Sequence, residues 1–169
     1  MTIYFGDGSS QAIAAGSGLF SSYAILQYRV SSGSHGGAST TSWTTRALNT
    51  EVADPDGIVS LSSDQFTLAA GSYYITATYN AYDAAYCRTR IYDITNSAEV
   101  IHGQNGAGGT TGYAYGIPSE IAGRFTAAGS AAYEFQQNSA SNASPCGHGC
   151  AISRGGDEIF TTLTIFKES

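Results

Sequence analysis

Between Asp64 and Tyr82 the chain alternates, pauses and alternates again. Phe66 and Leu68 take every second position ahead of Ala69-Ala70-Gly71, and Tyr73, Ile75, Ala77 and Tyr79 then resume the same period. A period of two puts successive side chains on opposite faces of a strand, so the stretch predicts strand, turn, strand, with one unbroken apolar and aromatic face on the second strand. Such a face is not stable alone in water. Other strands must cover it.

The same pattern recurs along the chain. Residues 24–30 place Leu26, Tyr28 and Val30 on one face, and residues 40–49 carry Trp43 and Arg46, the first expected in the core or at a subunit interface and the second as a paired interior charge. Residues 85–94 alternate Tyr86, Arg88, Arg90 and Tyr92 against Cys87, Thr89, Ile91 and Asp93, so one of these sets faces outward. Short strands follow at 99–101, 113–117, 120–127 and 132–136. A last one at 159–166 is apolar on both faces, Ile159, Thr161, Leu163 and Ile165 alternating with Phe160, Thr162, Thr164 and Phe166. Turn formers separate them: 31–39 around His35, Asp54-Pro55-Asp56-Gly57, a glycine tract at 103–112 expected to be a mobile loop, and 138–149. The sum is about eight to ten short strands in an all-β chain, a two-sheet antiparallel jelly-roll sandwich; irregular loop lengths favour Greek-key crossings over an up-and-down barrel.

Residues 1–22 differ from the body at 23–169. Ile3, Tyr4 and Phe5 form a short apolar strand followed by Gly/Ser/Ala-rich sequence, which reads as an extended N-terminal arm able to add a strand to a neighbour, or as a frayed terminus.

Composition supports one domain with little helix: 12% charged residues, 21 glycines and 12 tyrosines in 169 residues, against 42% hydrophobic residues to fill a core. A net charge of −6 and a single lysine, Lys167, argue against a nucleic-acid partner. No apolar run approaches the ~20 residues that span a bilayer, and the first residues lack the basic and apolar regions of a secretory signal, so no membrane association or secretion is expected.

The run Phe66-Thr-Leu68-Ala-Ala-Gly71-Ser-Tyr73 resembles the central strands of the tumour necrosis factor and complement globular-head jelly rolls. Trp43-Thr-Thr-Arg46-Ala-Leu48-Asn49-Thr50 upstream and the C-terminal strand downstream follow the order seen in jelly-roll modules of bacteriophage virion proteins. The opening Ile-Tyr-Phe-Gly-Asp-Gly-Ser-Ser-Gln is similar to a segment recurring in phage fibre and other virion proteins. The resemblance implies a homotrimer whose C-terminal strand lies near the threefold axis, with Trp43, Phe160 and Phe166 at the subunit interface. It also implies a virion location after synthesis in the host cytoplasm. Ile3, Tyr4 and Phe5 would then anchor the arm to the major capsid protein or another virion protein. The two functions that follow are capsid decoration and a tail-fibre or spike knob that binds a host surface receptor. The short arm, spanning at most about 70 Å extended, favours decoration.

Chemistry adds one cluster, Cys146-Gly147-His148-Gly149-Cys150. As a metal site it lacks a fourth ligand; Cys146 and Cys150 otherwise form a small-loop disulfide, bridge to Cys87 or remain thiols. Asp54 and Asp56 lack the ligand array calcium needs. His35, His102 and His148 fall in predicted loops without an adjoining acid and nucleophile, so no catalytic residue, metal or cofactor is expected.

Overall fold

The computed structural model describes residues 2–4, 6–7, 10–12, 18–109 and 117–169. These contain strands and turns and no helix. In chain order the strands are β1 (Thr2–Tyr4), β2 (Ser10–Ala12), β3 (Phe20–Val30), β4 (Thr44–Thr45), β5 (Thr50–Ala53), β6 (Val59–Ser62) and β7 (Gln65–Leu68). They continue as β8 (Gly71–Ala81), β9 (Ala85–Asp93), β10 (Ala98–Gly109), β11 (Ile117–Ala127), β12 (Ala131–Ser139) and β13 (Glu158–Glu168).

Two antiparallel sheets form a sandwich. One has the order β11-β8-β13-β3-β5 and the other β10-β9-β12-β7-β6, with β4 also on β12. From β5 onward the chain passes back and forth between them, which is jelly-roll winding. The expected strand, turn, strand at 64–82 is present as β7 and β8, which lie in different sheets, so Ala69-Ala70 carries the chain across the sandwich. A hairpin lies one step earlier. Ser63 and Asp64, both at positive φ, close β6 onto β7 in the two-residue turn whose twist matches paired strands.

The inward faces match the alternation. Tyr73, Ile75, Ala77 and Tyr79 of β8 and Leu163 and Ile165 of β13 meet Phe66, Ile91, Tyr133 and Phe135 of the other sheet, all at most 2% exposed. Aromatic rings bridge the layers: Phe125 to Tyr133 at 5.2 Å between centroids, and Tyr79 edge-on to Phe135 at 5.6 Å. Each such side chain contributes about 1.5–3 kcal/mol by leaving water.

Other expectations change. The glycine tract is not wholly a loop: β10 runs to Gly109 with register shifts at 99–101, 102–105 and 107–109, while 110–116 lie outside the described residues. Its glycines are contact sites, since a Cβ at Gly103 would stand 2.5 Å from the Thr89 carbonyl oxygen. At the N-terminus β1 pairs with β2, Ile3 opposite Gln11, in a two-stranded sheet of its own. The expected arm is thus a hairpin rather than a single extended strand, and Phe5 lies outside the described residues. The body begins earlier than residue 23, because β3 starts at Phe20, paired with Glu168.

Candidate assembly interface and the loop plug

β13 decides which aromatics reach the surface. A register shift between Ile159 and Thr161 turns Phe160 inward, so the outer row reads Ile159, Thr162, Thr164 and Phe166 instead of Phe160, Thr162, Thr164 and Phe166. Phe160, expected at a subunit interface, is 4% exposed and packs against Tyr28 inside its own subunit. It cannot reach a neighbour.

Phe166 does lie on the outer face of the five-stranded sheet, half-buried, in a cluster with Phe20 at 4.9 Å and Tyr74 at 6.4 Å. From there the face runs through Thr76, Thr78, Thr162 and Thr164 to Gln27, which donates to Thr162 at 3.0 Å and accepts from the Arg29 guanidinium at 2.6 Å. Exposed Tyr23, Val52 and Ile159 belong to the same sheet. At the aromatic end Arg124 forks onto Glu168 with two 2.6 Å bonds; each group favours the charged form of the other. An uncharged centre, apolar side chains half-exposed and a charged rim are the composition of a protein-protein interface.

Trp43 occupies the opposite outer face. Arg90 is stacked between its ring (4.1 Å) and that of Tyr92 (4.3 Å), donates to Gln136 at 2.8 Å and pairs with Glu99. A threefold interface joins two different surfaces of one chain, so Trp43 and Phe166 on separate faces are compatible with it. Further along this face exposed Tyr86 stands by a depression of about 300 Å³ lined by Arg88, Asn105 and Asn138.

One end of the sandwich is closed by two interlocked loops. Gly36 donates to the Gly149 carbonyl (2.9 Å), Gly37 to Pro145 (3.1 Å), His148 to Gly37 (2.9 Å), and Ser39 and Ala143 exchange bonds. Close approach demands the glycines: a Cβ at Gly147 would lie 2.3 Å from the Ser39 nitrogen, and Gly149, at φ +133, would strike Phe160 at 2.2 Å. Glu158 holds the next turn by accepting from Ser153, Gly33 and Ile152 amides, which keep its carboxyl below the ordinary range.

Beneath this plug lies Arg46, 1% exposed. It is interior as expected, but its acceptors are neutral: the Gln137 amide oxygen, the His148 carbonyl at 3.0 Å, the Phe160 carbonyl and the Thr161 hydroxyl at 3.3 Å. The faces of Tyr79 and Phe135 complete its shell. Burial lowers its pKa to about 10. Burial also raises Cys87 and Tyr79, so neither supplies a countercharge at neutral pH.

His35 and His148 lie in loops as expected, whereas His102 lies on a strand. His148 is 5% exposed, its Nε2 without a hydrogen-bond partner and its pKa pushed down to about 3, by burial first and then by Arg46. His102 sits on β10 and pairs with Glu99. Cys146 and Cys150 are disulfide-bonded, with Cα atoms 4.7 Å apart, while Cys87 is a buried free thiol. Asp54 spends its carboxylate on the Ile58 and Val59 amides, capping a turn.

No family model and no curated protein matches the sequence. Solved structures do match in shape. Murine APRIL at pH 5.0 superposes with a TM-score of 0.54 at 10% identity, covering 86% of this chain and 98% of that one. The vertex protein P5 of phage PRD1 gives 0.52 at 17% identity, over 90% of this chain and 100% of that one. The fold is the tumour-necrosis-factor-like jelly roll. The globular domain of zebrafish complement 1qA follows at 0.49, 9% identity and 86% and 95% coverage. On this TNF-like jelly roll the chain carries a glycine-locked plug over Arg46 and an aromatic cluster at one end of the five-stranded sheet.

Proposed function

We propose that the chain is a non-enzymatic structural protein of a bacteriophage virion, a homotrimer that decorates the capsid and attaches through its N-terminal segment. The observation that carries this reading is the outer face of the five-stranded sheet. It is uncharged at its centre and half-covered by Phe20, Tyr74 and Phe166, a surface suited to a second copy of the chain. The likeness to a protein named as a vertex component of PRD1 favours a virion setting.

Attachment is assigned to Ile3, Tyr4 and Phe5. β1 and β2 pair only with each other among the described strands, so their edges are available for strand addition to the major capsid protein or another virion protein. Deleting residues 2–18 tests this, since β3 begins only at Phe20. The shortened chain is expected to remain a folded trimer and to lose co-sedimentation with empty capsids; undiminished decoration by it excludes the arm as anchor.

A second reading, the receptor-binding knob of a tail fibre or spike, is favoured by exposed Tyr86 beside the Arg88, Asn105 and Asn138 depression. Its sign is attachment of the body alone to host cells in competition with phage adsorption.

A further inference from the structure

The Cys-Gly-His-Gly-Cys motif suggests its own histidine as a metal ligand, and the structure removes it, since His148 faces the buried plug beside Arg46. A different imidazole takes the place. His35, from the loop after β3, brings a ring nitrogen close to both sulfurs, the ligand atoms of His35, Cys146 and Cys150 lying within 4.8 Å of one another. Among the described residues this is the one cluster of at least three His, Cys, Asp or Glu side chains close enough to share an ion.

We propose that, when the Cys146–Cys150 bond is reduced, His35, Cys146 and Cys150 form a three-ligand site for a soft divalent cation of the zinc class, its fourth position open to water. Bonds of about 2.0–2.3 Å to a tetrahedral ion set thiolate sulfurs roughly 3.8 Å apart, so the sulfurs need only part to ordinary non-bonded separation. The loops that carry the ligands are held without the sulfur bridge. Gly36 to Gly149, Gly37 to Pro145 and His148 to Gly37 are backbone hydrogen bonds, and they tie the His35 loop directly to the cysteine loop. His35 is further anchored by the Ala151 amide, which donates to Nδ1 at 3.1 Å. The ion takes a ring nitrogen of this exposed imidazole.

The chemistry balances. A thiol or phosphine reductant supplies two electrons and is itself oxidised, giving two cysteine thiols; the cation then binds both as thiolates and releases two protons. With Cys146 and Cys150 oxidised the cluster has no thiolates to offer, so the site exists in one redox state only.

The test uses the full chain, reduced by a phosphine under anaerobic conditions and titrated with Co2+. Reduced protein is expected to take up one ion per chain with thiolate-to-cobalt charge-transfer absorption that Zn2+ abolishes, and oxidised protein to show none. Cys146→Ser is expected to remove the band and His35→Ala to weaken binding at least ~10-fold. His102→Ala, an exposed histidine on the other sheet, is expected to leave it unchanged. Three results overturn the proposal: no charge-transfer band in reduced protein, a band of equal affinity in His35→Ala, or loss of the strand circular-dichroism signal on reduction alone.

Discussion

Replacing Arg46 by methionine keeps most of the side chain's length and removes its charge. In the native chain the guanidinium satisfies the carbonyls of His148 and Phe160, the Gln137 amide oxygen and the Thr161 hydroxyl, all beneath the plug. Methionine donates nothing, so these four acceptors lose a partner at about 1–2 kcal/mol each, or roughly 4–8 kcal/mol together. Against this stands the relief of desolvation. A pKa lowered from 12.5 to about 10 at a fully buried group corresponds to about 3 kcal/mol. The net expectation is a loss of about 1–5 kcal/mol, which for a domain of this size lowers Tm by roughly 2–20 °C. Thermal unfolding followed by circular dichroism measures it. An Arg46→Met protein that melts at or above the wild-type temperature refutes the reasoning, because desolvation would then outweigh the hydrogen bonds, as it does for some buried ion pairs.

Acid should destabilise the fold. His148, held neutral to about pH 3, is protonated first in the unfolded chain, so stability present above its ordinary value near 6.5 is lost as pH falls toward 3, by up to about 5 kcal/mol. Glu158, depressed by its three amides, acts in the same direction as pH falls through its lowered value. Melting curves across this window are expected to be flatter for His148→Gln than for wild type; equal slopes remove His148 as the cause. Gly147→Ala, whose Cβ would meet the Ser39 backbone nitrogen at 2.3 Å, is expected to cost about 1–3 kcal/mol, and an unchanged Tm would show that the loops do not interlock as described. Cys146→Ser opens a five-residue loop and is expected to lower stability by about 2 kcal/mol in metal-free buffer, measured by urea unfolding; no change argues against the disulfide in the isolated protein.

Alternation made much of the sandwich legible. Tyr73, Ile75, Ala77 and Tyr79 announce a buried face at period two, and the same rule places Cys87, Thr89, Ile91 and Asp93 inside. What alternation does not carry is phase across a bulge. One extra residue at Ile159–Thr161 exchanged Phe160 for Ile159 on the outer face and so removed an expected interface aromatic. Nor does it say which sheet a strand joins: β7 and β8 follow one another across a short turn yet lie in different sheets. The plug was least legible, because it depends on the approach of residues 36–39 to 143–149, distant in sequence and permitted by glycines that otherwise read as turn formers. The exchange of His148 for His35 beside the sulfurs follows from that approach, and no local spacing encodes it.

A homotrimer built through the outer face of the five-stranded sheet is the assembly proposed for this chain. Sedimentation velocity of wild type and Phe166→Asp at micromolar concentration tests it most directly. Phe166 is half-buried on that face with Phe20 and Tyr74, so a carboxylate there would be desolvated only in the assembly. The expected result is a single species of three times the chain mass for wild type and a folded monomer for Phe166→Asp; a wild-type monomer at that concentration contradicts the claim.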